Sequence, residues 1–413
     1  MTLFAAICVA LIAAKWGAQL WLERTNRRYV EAHAGEIPEA LRGVMTPETY
    51  AKSIEYTLAK SRLEVLQLTV SAAVLVVALF SGFLPWFWRF LGTGSLWLGA
   101  AYIFAVGVLL SLPDWPLAWH EQFHLEDRFG FNTTTPKTWW MDRLKGLLLS
   151  LLIGLPLVAL ILKLFVWLGA WWWFWAWVCF AVFQLVMMAL APALILPLFN
   201  KFTPLEEGPL RERLLALGQR AGFRAKEIQV MDGSKRSRHS NAFFTGFGRF
   251  RKIVIFDTLM QQLDALEMES VLAHEIGHHK KGHIPKMLAA SMGGALLAFY
   301  AISVLARQEW FYRSFGFAPG NMASALLLFT LLAGTVTFWL SPMTGYFSRR
   351  YEYEADGYAA ALVNATAPLI GALRKLNEKN LSNLTPHPLY SRFYYSHPTL
   401  LEREAALSSL QLE

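Results

Sequence analysis

His274-Glu275-Ile276-Gly277-His278 sets two histidines four residues apart, with a carboxylate beside the first. The surrounding stretch, Leu263 to Lys281, reads as helix, and on a helix positions i and i+4 share one face. Both imidazoles can then bind one metal ion, with Glu275 beside it as a proton carrier. This is zinc-hydrolase chemistry, although the motif alone names no substrate. A catalytic zinc needs a third protein ligand and a fourth position for water. One source would be another histidine nearby. The extended pattern HExxHxxGxxH fails, because the chain has Lys281 and Ile284 where it needs glycine and histidine. His279 and His283 are turned about 100° and 140° from His278 around a helix, and read as solvated helix residues. A second source is Ser348-Arg349-Arg350-Tyr351-Glu352-Tyr353-Glu354-Ala355-Asp356. If helical, it puts Glu352 and Asp356 on one face and Glu354 on another. Glu352 could bind zinc, and Asp356 could accept the N–H of a ligating histidine and fix its tautomer. A third source is His387 or His397, in an irregular segment.

The elements that must position these groups are mostly apolar. The 413 residues are 55% hydrophobic and 16% charged, with 17 Trp, against roughly 25% charged in ordinary soluble proteins. Seven runs have transmembrane length: Leu3–Leu22, Leu66–Leu84, Leu96–Leu112, Gly146–Trp167, Trp171–Leu198, Met287–Ala306 and Met322–Leu340. The fourth and fifth nearly touch and should form a helical hairpin, with the Trp-rich stretch Trp171–Trp177 at the outer interface. Leu3–Leu22 has no basic residues ahead of it, carries Lys15 inside it and shows no convincing cleavage site. It reads as a retained span. Seven Lys/Arg fall in Glu23–Arg62 and four in Asp114–Lys145, against one in Leu84–Gly94 and two in Arg307–Gly320. This bias predicts an N-terminus outside and a C-terminus in the cytoplasm. The net charge of +8 is thus topogenic. A nucleic-acid role is excluded, because the aromatics lie in the apolar runs and not on a basic face. Cys8 and Cys179 both fall within spans, which excludes a disulfide framework and a cysteine zinc site.

A long polar segment, Asn200–Lys286, separates the fifth and sixth runs. It contains an amphipathic helix (about Leu205–Ala221) ending at Gly222, then a strand over Glu227–Met231. Asp232-Gly233-Ser234 is a turn, and Asn241–Thr245 a second strand. Gly246-Phe247-Gly248 punctuates the chain before a third strand over Lys252–Phe256. After the seventh run, Tyr346–Lys379 reads as helices, and Pro386–Pro398 leads to a short terminal helix. The expected class is predominantly α, a polytopic membrane protein with seven transmembrane helices and a small cytoplasmic α+β domain. The expected division is 1–198, 199–286, 287–345 and 346–413.

HEIGH, the SRRYEYEAD run, SNAFFTGFGRFRKIVIFDTL (Ser240–Leu259) and SHPTLLER (Ser396–Arg403) together resemble the Ste24 family, the type I CAAX prenyl proteases of the M48 gluzincin class. The resemblance extends through the seven-run topology and covers nearly the whole chain. It implies one zinc ion held by His274, His278 and Glu352, with Glu275 as base and Asp356 behind the ligands. It also places His397 and Arg403 near the scissile carbonyl, and implies seven helices enclosing a water-filled chamber whose cytoplasmic end holds the zinc. Gln67, Thr69, Ser71, Ser150 and Gln184 suit a wet lumen or helix-to-helix hydrogen bonds equally.

The expected reaction is peptide hydrolysis, with Glu275 taking a proton from a zinc-activated water. His397 and Arg403 are candidate oxyanion donors. A substrate strand could add along Asn241–Thr245, with Asn241 and Phe243 as contacts. The expected substrate is a peptide or protein, possibly one prenylated at its C-terminus, cut at a bacterial inner membrane with the active site on the cytoplasmic side. An HtpX-like quality-control protease acting on unprenylated proteins keeps the chemistry and changes the substrate. A transporter or scaffold with a structural zinc is a third reading, disfavoured because such a site has no use for Glu275.

Overall fold

The computed structural model describes residues 2–39, 42, 45–91, 95–223, 227–245 and 252–411. The chain is mostly helical. The first two helices, Leu3–Ala32 and Pro47–Phe80, start on threonine caps, where the Thr2 and Thr46 hydroxyls accept from Ala5 and Thr49 N–H groups. Thirty residues of helix reach about 45 Å, well beyond an apolar bilayer core of ~30 Å. The surplus carries Val30, Tyr50 and Ile54 into the core of the extramembrane domain.

Five helical segments are long and apolar enough to cross a membrane. They become six if Leu96–Ser111 and Asp114–Arg128, bent by 44°, count as one span. The fourth and fifth apolar runs lie in one helical stretch, Pro136–Phe199, so a count by continuous helix falls short of a count by apolar run. Gly169, at φ 51°, breaks that stretch, and the arms on either side (Leu155–Leu168 and Trp172–Leu190) pack on one another.

In the first two helices and in His283–Leu305 burial is concentrated at the ends, whereas in Leu96–Ser111 and Leu155–Leu168 it falls in the middle. In the first helix it falls on Ala5, Cys8 and Ile12, then on Leu22 to Val30; in the second on Tyr50 to Leu63, then on Ala78 and Leu79. In His283–Leu305 only His283, Ile302 and Ser303 are buried. One end is tied by Leu79, Tyr102, Leu162, Phe311 and Leu328, the other by the extramembrane core. Polar residues within the spans bond between helices, with Gln67 donating to Glu121 at 3.2 Å and Gln184 to Ser291 at 3.1 Å.

The extramembrane domain holds a sheet of order β1-β2-β4-β3, from Phe202–Pro204, Glu227–Met231, Lys252–Phe256 and Ala242–Thr245 respectively. The parallel pair β2–β4 lies at its centre, in register from Glu227↔Lys252 to Met231↔Phe256. Antiparallel β1 and β3 form the edges. Short β1, which ends on Pro204, carries no alternation that sequence could show. Gly246-Phe247-Gly248 lies outside the described residues. Ile228, Ile253 and Ile255 share a core with Leu272, Ala273 and Ile276 of the helix Ala265–Lys280, which carries HEIGH.

Segment 126–132 has no evident chemistry in sequence, but in the structure it is a clasp between the membrane helices and this domain. Glu126 accepts from the Tyr56 hydroxyl at 2.6 Å and lies 3.3 Å from His239. The Phe131 ring stacks on His239, and its carbonyl accepts the Arg238 N–H. The loop entering β3 is thereby anchored to the second helix.

Candidate active site and metal centre

The helix Ala265–Lys280 starts on a full capping box. Asp264 accepts the Leu266 and Glu267 N–H groups at 2.9 Å, and Glu267 reaches back to the Asp264 N–H. His278, His279 and Lys280 fill its last turn, where cations suit the helix dipole. Its partner is Ser341–Val363, which continues directly from the last span as one helical stretch, Met322–Val363. That continuity carries Glu352 and Asp356 from the membrane to the site.

Gly277 explains how close the two helices come. A Cβ there would lie 3.0 Å from the Ala355 Cα and carbonyl oxygen, so only glycine permits the contact. Ala355 stands between the two carboxylates, and both are therefore presented to the histidines.

The His274 Nδ1–H donates to Asp356 at 2.7 Å. This tautomer leaves a lone pair on His274 Nε2, which faces Glu352 Oε2 at 3.4 Å and His278 Nε2 at 3.2 Å. His278 Nε2 is 3.3 Å from Glu352 Oε1. One ligand atom from each of His274, His278 and Glu352 lies within 4.8 Å of the others. Glu352 Oε2 is buried without a hydrogen-bond partner. Lone pairs aimed at one another around an orphaned carboxylate oxygen make a site for a cation, and two imidazoles with one carboxylate form an N2O donor set. Among the described residues this is the one such cluster. A proton and a metal ion compete for that lone pair: burial works against a charged ring, yet Asp356 and Glu352 raise the His274 pKa to about 9 when no metal is bound, so a cation must displace that proton to bind.

Glu275, half-buried next to His274, has its pKa raised by burial, which outweighs the pull of the two histidines. Arg403 enters from the terminal helix Leu400–Ser408 and is buried. It grips Asp356 with two bonds, Nε to Oδ2 at 2.8 Å and Nη2 to Oδ1 at 2.6 Å, and its Nη1 lies 3.6 Å from Glu352. His397 is exposed; its Nε2 lies 3.4 Å from Glu352 Oε1, and its Nδ1 pairs with the Ser396 hydroxyl at 2.9 Å. His387, a possible third ligand by sequence, instead caps the helix Pro388–Tyr394. Asn241 and Phe243 lie outside the ligand cluster, on or just before edge strand β3, which packs beside the HEIGH helix. The Asn241 side chain accepts its neighbour's Ala242 N–H at 2.8 Å, while its carbonyl accepts the Phe256 N–H.

His283 overturns the expectation of a solvated residue, being 1% exposed. Gly282, at φ 67°, ends one helix and starts the next, folding His283 back over His278. The two Nδ1 atoms are 3.0 Å apart, and His283 Nε2 is 3.2 Å from Glu354. With His278 Nε2 facing the metal position, His278 Nδ1–H donates to His283 Nδ1, and His283 Nε2–H donates to Glu354. Arg350 steadies Glu354 at 3.0 Å, and the Tyr351 ring stacks on His283. A glycine just before a histidine, one turn past HExxH, was the available signal. Replacing His283 with Phe keeps the stacked ring and removes both nitrogens. Metal affinity is expected to fall about 10- to 100-fold, read by competition with a chromophoric chelator. An unchanged affinity would show that His278 needs no such support.

Residues 26–201 match the CAAX prenyl protease N-terminal family, described by five membrane helices, and residues 204–411 match peptidase family M48. CAAX prenyl protease 1 of Saccharomyces cerevisiae is 35% identical over 93% of this chain and 91% of its own length. The Homo sapiens homolog is 30% identical over 97% and 95%. The crystal structure of S. mikatae Ste24p superposes with a TM-score of 0.93 at 33% identity, covering 98% of this chain and 99% of that one. The resemblance carried by the four motifs thus holds from end to end, over multi-pass membrane helices and extramembrane domain alike, and the chain belongs to the M48 metallopeptidases, in their CAAX prenyl protease 1 branch.

Proposed function

We propose that the protein is an integral-membrane zinc endopeptidase that cleaves near the C-terminus of prenylated, CAAX-type substrates. The observation that carries this reading is the convergence of His274, His278 and Glu352 within 4.8 Å, with Glu275 beside them. Zinc held there would supply Lewis acidity, bringing the pKa of water toward neutrality. Glu275 takes the proton of the attacking water and returns it to the leaving amine. His397, the exposed donor beside the ligands, stabilises the developing oxyanion. Arg403 spends two of its nitrogens on Asp356, so it acts chiefly by holding that carboxylate against His274. The substrate backbone extends along β3, and its contacts include Asn241 and Phe243.

A cavity of about 630 Å³ leads away from His397 and Arg403 between Tyr56, Lys60, Glu64 and Tyr390. The first two helices and His283–Leu305, packed at their ends with little buried between, favour a water-filled chamber that opens at this cavity. The loop-charge bias favours an active site on the cytoplasmic side, and the inner membrane of a bacterium remains the proposed setting.

Purified protein is expected to cut a farnesylated CAAX peptide in a chelator-sensitive way, and its unprenylated twin at least about tenfold more slowly. Mass spectrometry of the products reads both rates. Equal cutting of the two would favour the quality-control substrate class, and no cutting of either by zinc-loaded protein would reject the CAAX-type substrate.

A further inference from the structure

Two neighbouring cavities lie along the third and fourth apolar runs and share Phe104 and Ser150 as walls, which makes one groove of them when a long ligand spans both. The first, of about 440 Å³, is walled by Ile103, Leu149 and Val158 and is almost wholly apolar. Phe104 and Ser150 line it and also the second, of about 740 Å³, whose far end holds Asp142, Arg143 and Arg236. The π-helical turn Ser150–Gly154 falls where they meet. Gly107 and Gly146 line the second cavity, and a Cβ on either would meet nothing within 4 Å.

Arg143 stands at the polar end, and no carboxylate among the described residues pairs with it. Its guanidinium lies 3.7 Å from the centre of the Trp139 ring and 5.5 Å from that of Trp115. Its Nε is buried with no hydrogen-bond partner. The adjacent Asp142 is taken by Arg236, in two bonds of 2.7 and 3.0 Å. A half-buried guanidinium that lines the cavity, with aromatic faces against it and a bare Nε, is open to an anion there. The ring cluster of Trp115, Trp139 and Trp140 marks this as membrane-interface depth.

We propose that the groove binds an anionic phospholipid of the surrounding bilayer, its phosphate on Arg143 and one acyl chain running past Phe104 toward Val158. A free inorganic anion would satisfy the arginine and leave the apolar arm empty. A zwitterionic lipid would bring its own cation to a mouth where Arg236 is already paired with Asp142 and Arg143 needs the negative charge. Arg236 and Ser237 line the same end, and Thr134 donates to the Arg236 carbonyl at 2.9 Å. A bound headgroup therefore braces the loop that runs into β3. The inference rests on the membrane fold and does not depend on the peptidase chemistry.

The test uses full-length protein, delipidated in detergent and titrated with phosphatidylglycerol or phosphatidylcholine of identical chains, with binding read by native mass spectrometry. Wild type is expected to hold phosphatidylglycerol about five- to tenfold more tightly. Arg143→Gln should erase that preference. Gly107→Leu, which fills the groove and leaves Arg143 in place, should weaken both lipids alike. Equal affinity for the two lipids in wild type would overturn the proposal, as would a preference that survives in folded Arg143→Gln. Glycerol 3-phosphate is the headgroup-only probe; if it binds as tightly as the whole lipid, the site is an anion site and not a lipid site. Displacement of phosphatidylglycerol by a farnesylated peptide, with no lipid preference left, would make the groove a substrate subsite instead.

Discussion

Glu275→Gln is expected to lower peptide cleavage by about 10²- to 10⁴-fold, the usual contribution of a positioned general base, while metal content stays at the wild-type level. The amide matches the carboxylate in size but cannot accept a proton at neutral pH. Glu275 is absent from the ligand cluster of His274, His278 and Glu352, so its replacement leaves the donor set whole. The HEIGH helix is bonded to its neighbours through His274 to Asp356 and through His278 to His283, not through Glu275, so the fold should also survive. Burial raises its pKa, which makes a better base than an ordinary surface carboxylate and means that removing its charge relieves the apoprotein. Single-turnover cleavage beside elemental analysis for the metal separates the two effects. Activity that persists with metal bound would remove Glu275 from the proton path. Loss of metal together with activity would make it a ligand.

What could be read along the chain was whatever depends on short spacing. The apolar runs, the i, i+4 histidines and the i, i+4 pair Glu352/Asp356 are all local, and all find their places. The strands at Glu227–Met231 and Lys252–Phe256 carry enough β-branched residues to show themselves. The rest depends on pairs far apart in sequence. Nothing near Gly277 announces that it must accept Ala355, 78 positions on. The burial of His283 follows from a left-handed residue at Gly282 together with a helix that arrives only after the last span. The clasp 126–132 has no local chemistry, because its partners, Tyr56 and His239, lie on other elements. Arg403 shows a third kind of gap: its place near the site followed from family resemblance, but its bonding to Asp356 follows from coordinates.

Asp356→Ala is the second large effect, and it should strike stability and metal binding by separable routes. Asp356 is 2% exposed and carries both His274 Nδ1–H and the two bonds from Arg403. Its removal leaves Arg403 buried with its main counter-ion gone, which costs about 3–5 kcal/mol where one partner of a buried pair is deleted. It also frees the His274 ring to rotate, for about 10- to 100-fold in metal affinity. The double variant Asp356→Ala/Arg403→Leu distinguishes the two. With the stranded cation gone, most of the stability should return, since replacing a whole buried pair by apolar groups is often close to neutral. The metal affinity should not return, because nothing then orients the imidazole. Thermal midpoints and chelator competition on these two variants and on Arg403→Leu alone give the coupling directly. If the double variant regained its metal affinity too, Asp356 would be serving Arg403 alone, and His274 would be held by its packing against Glu352 and the helix.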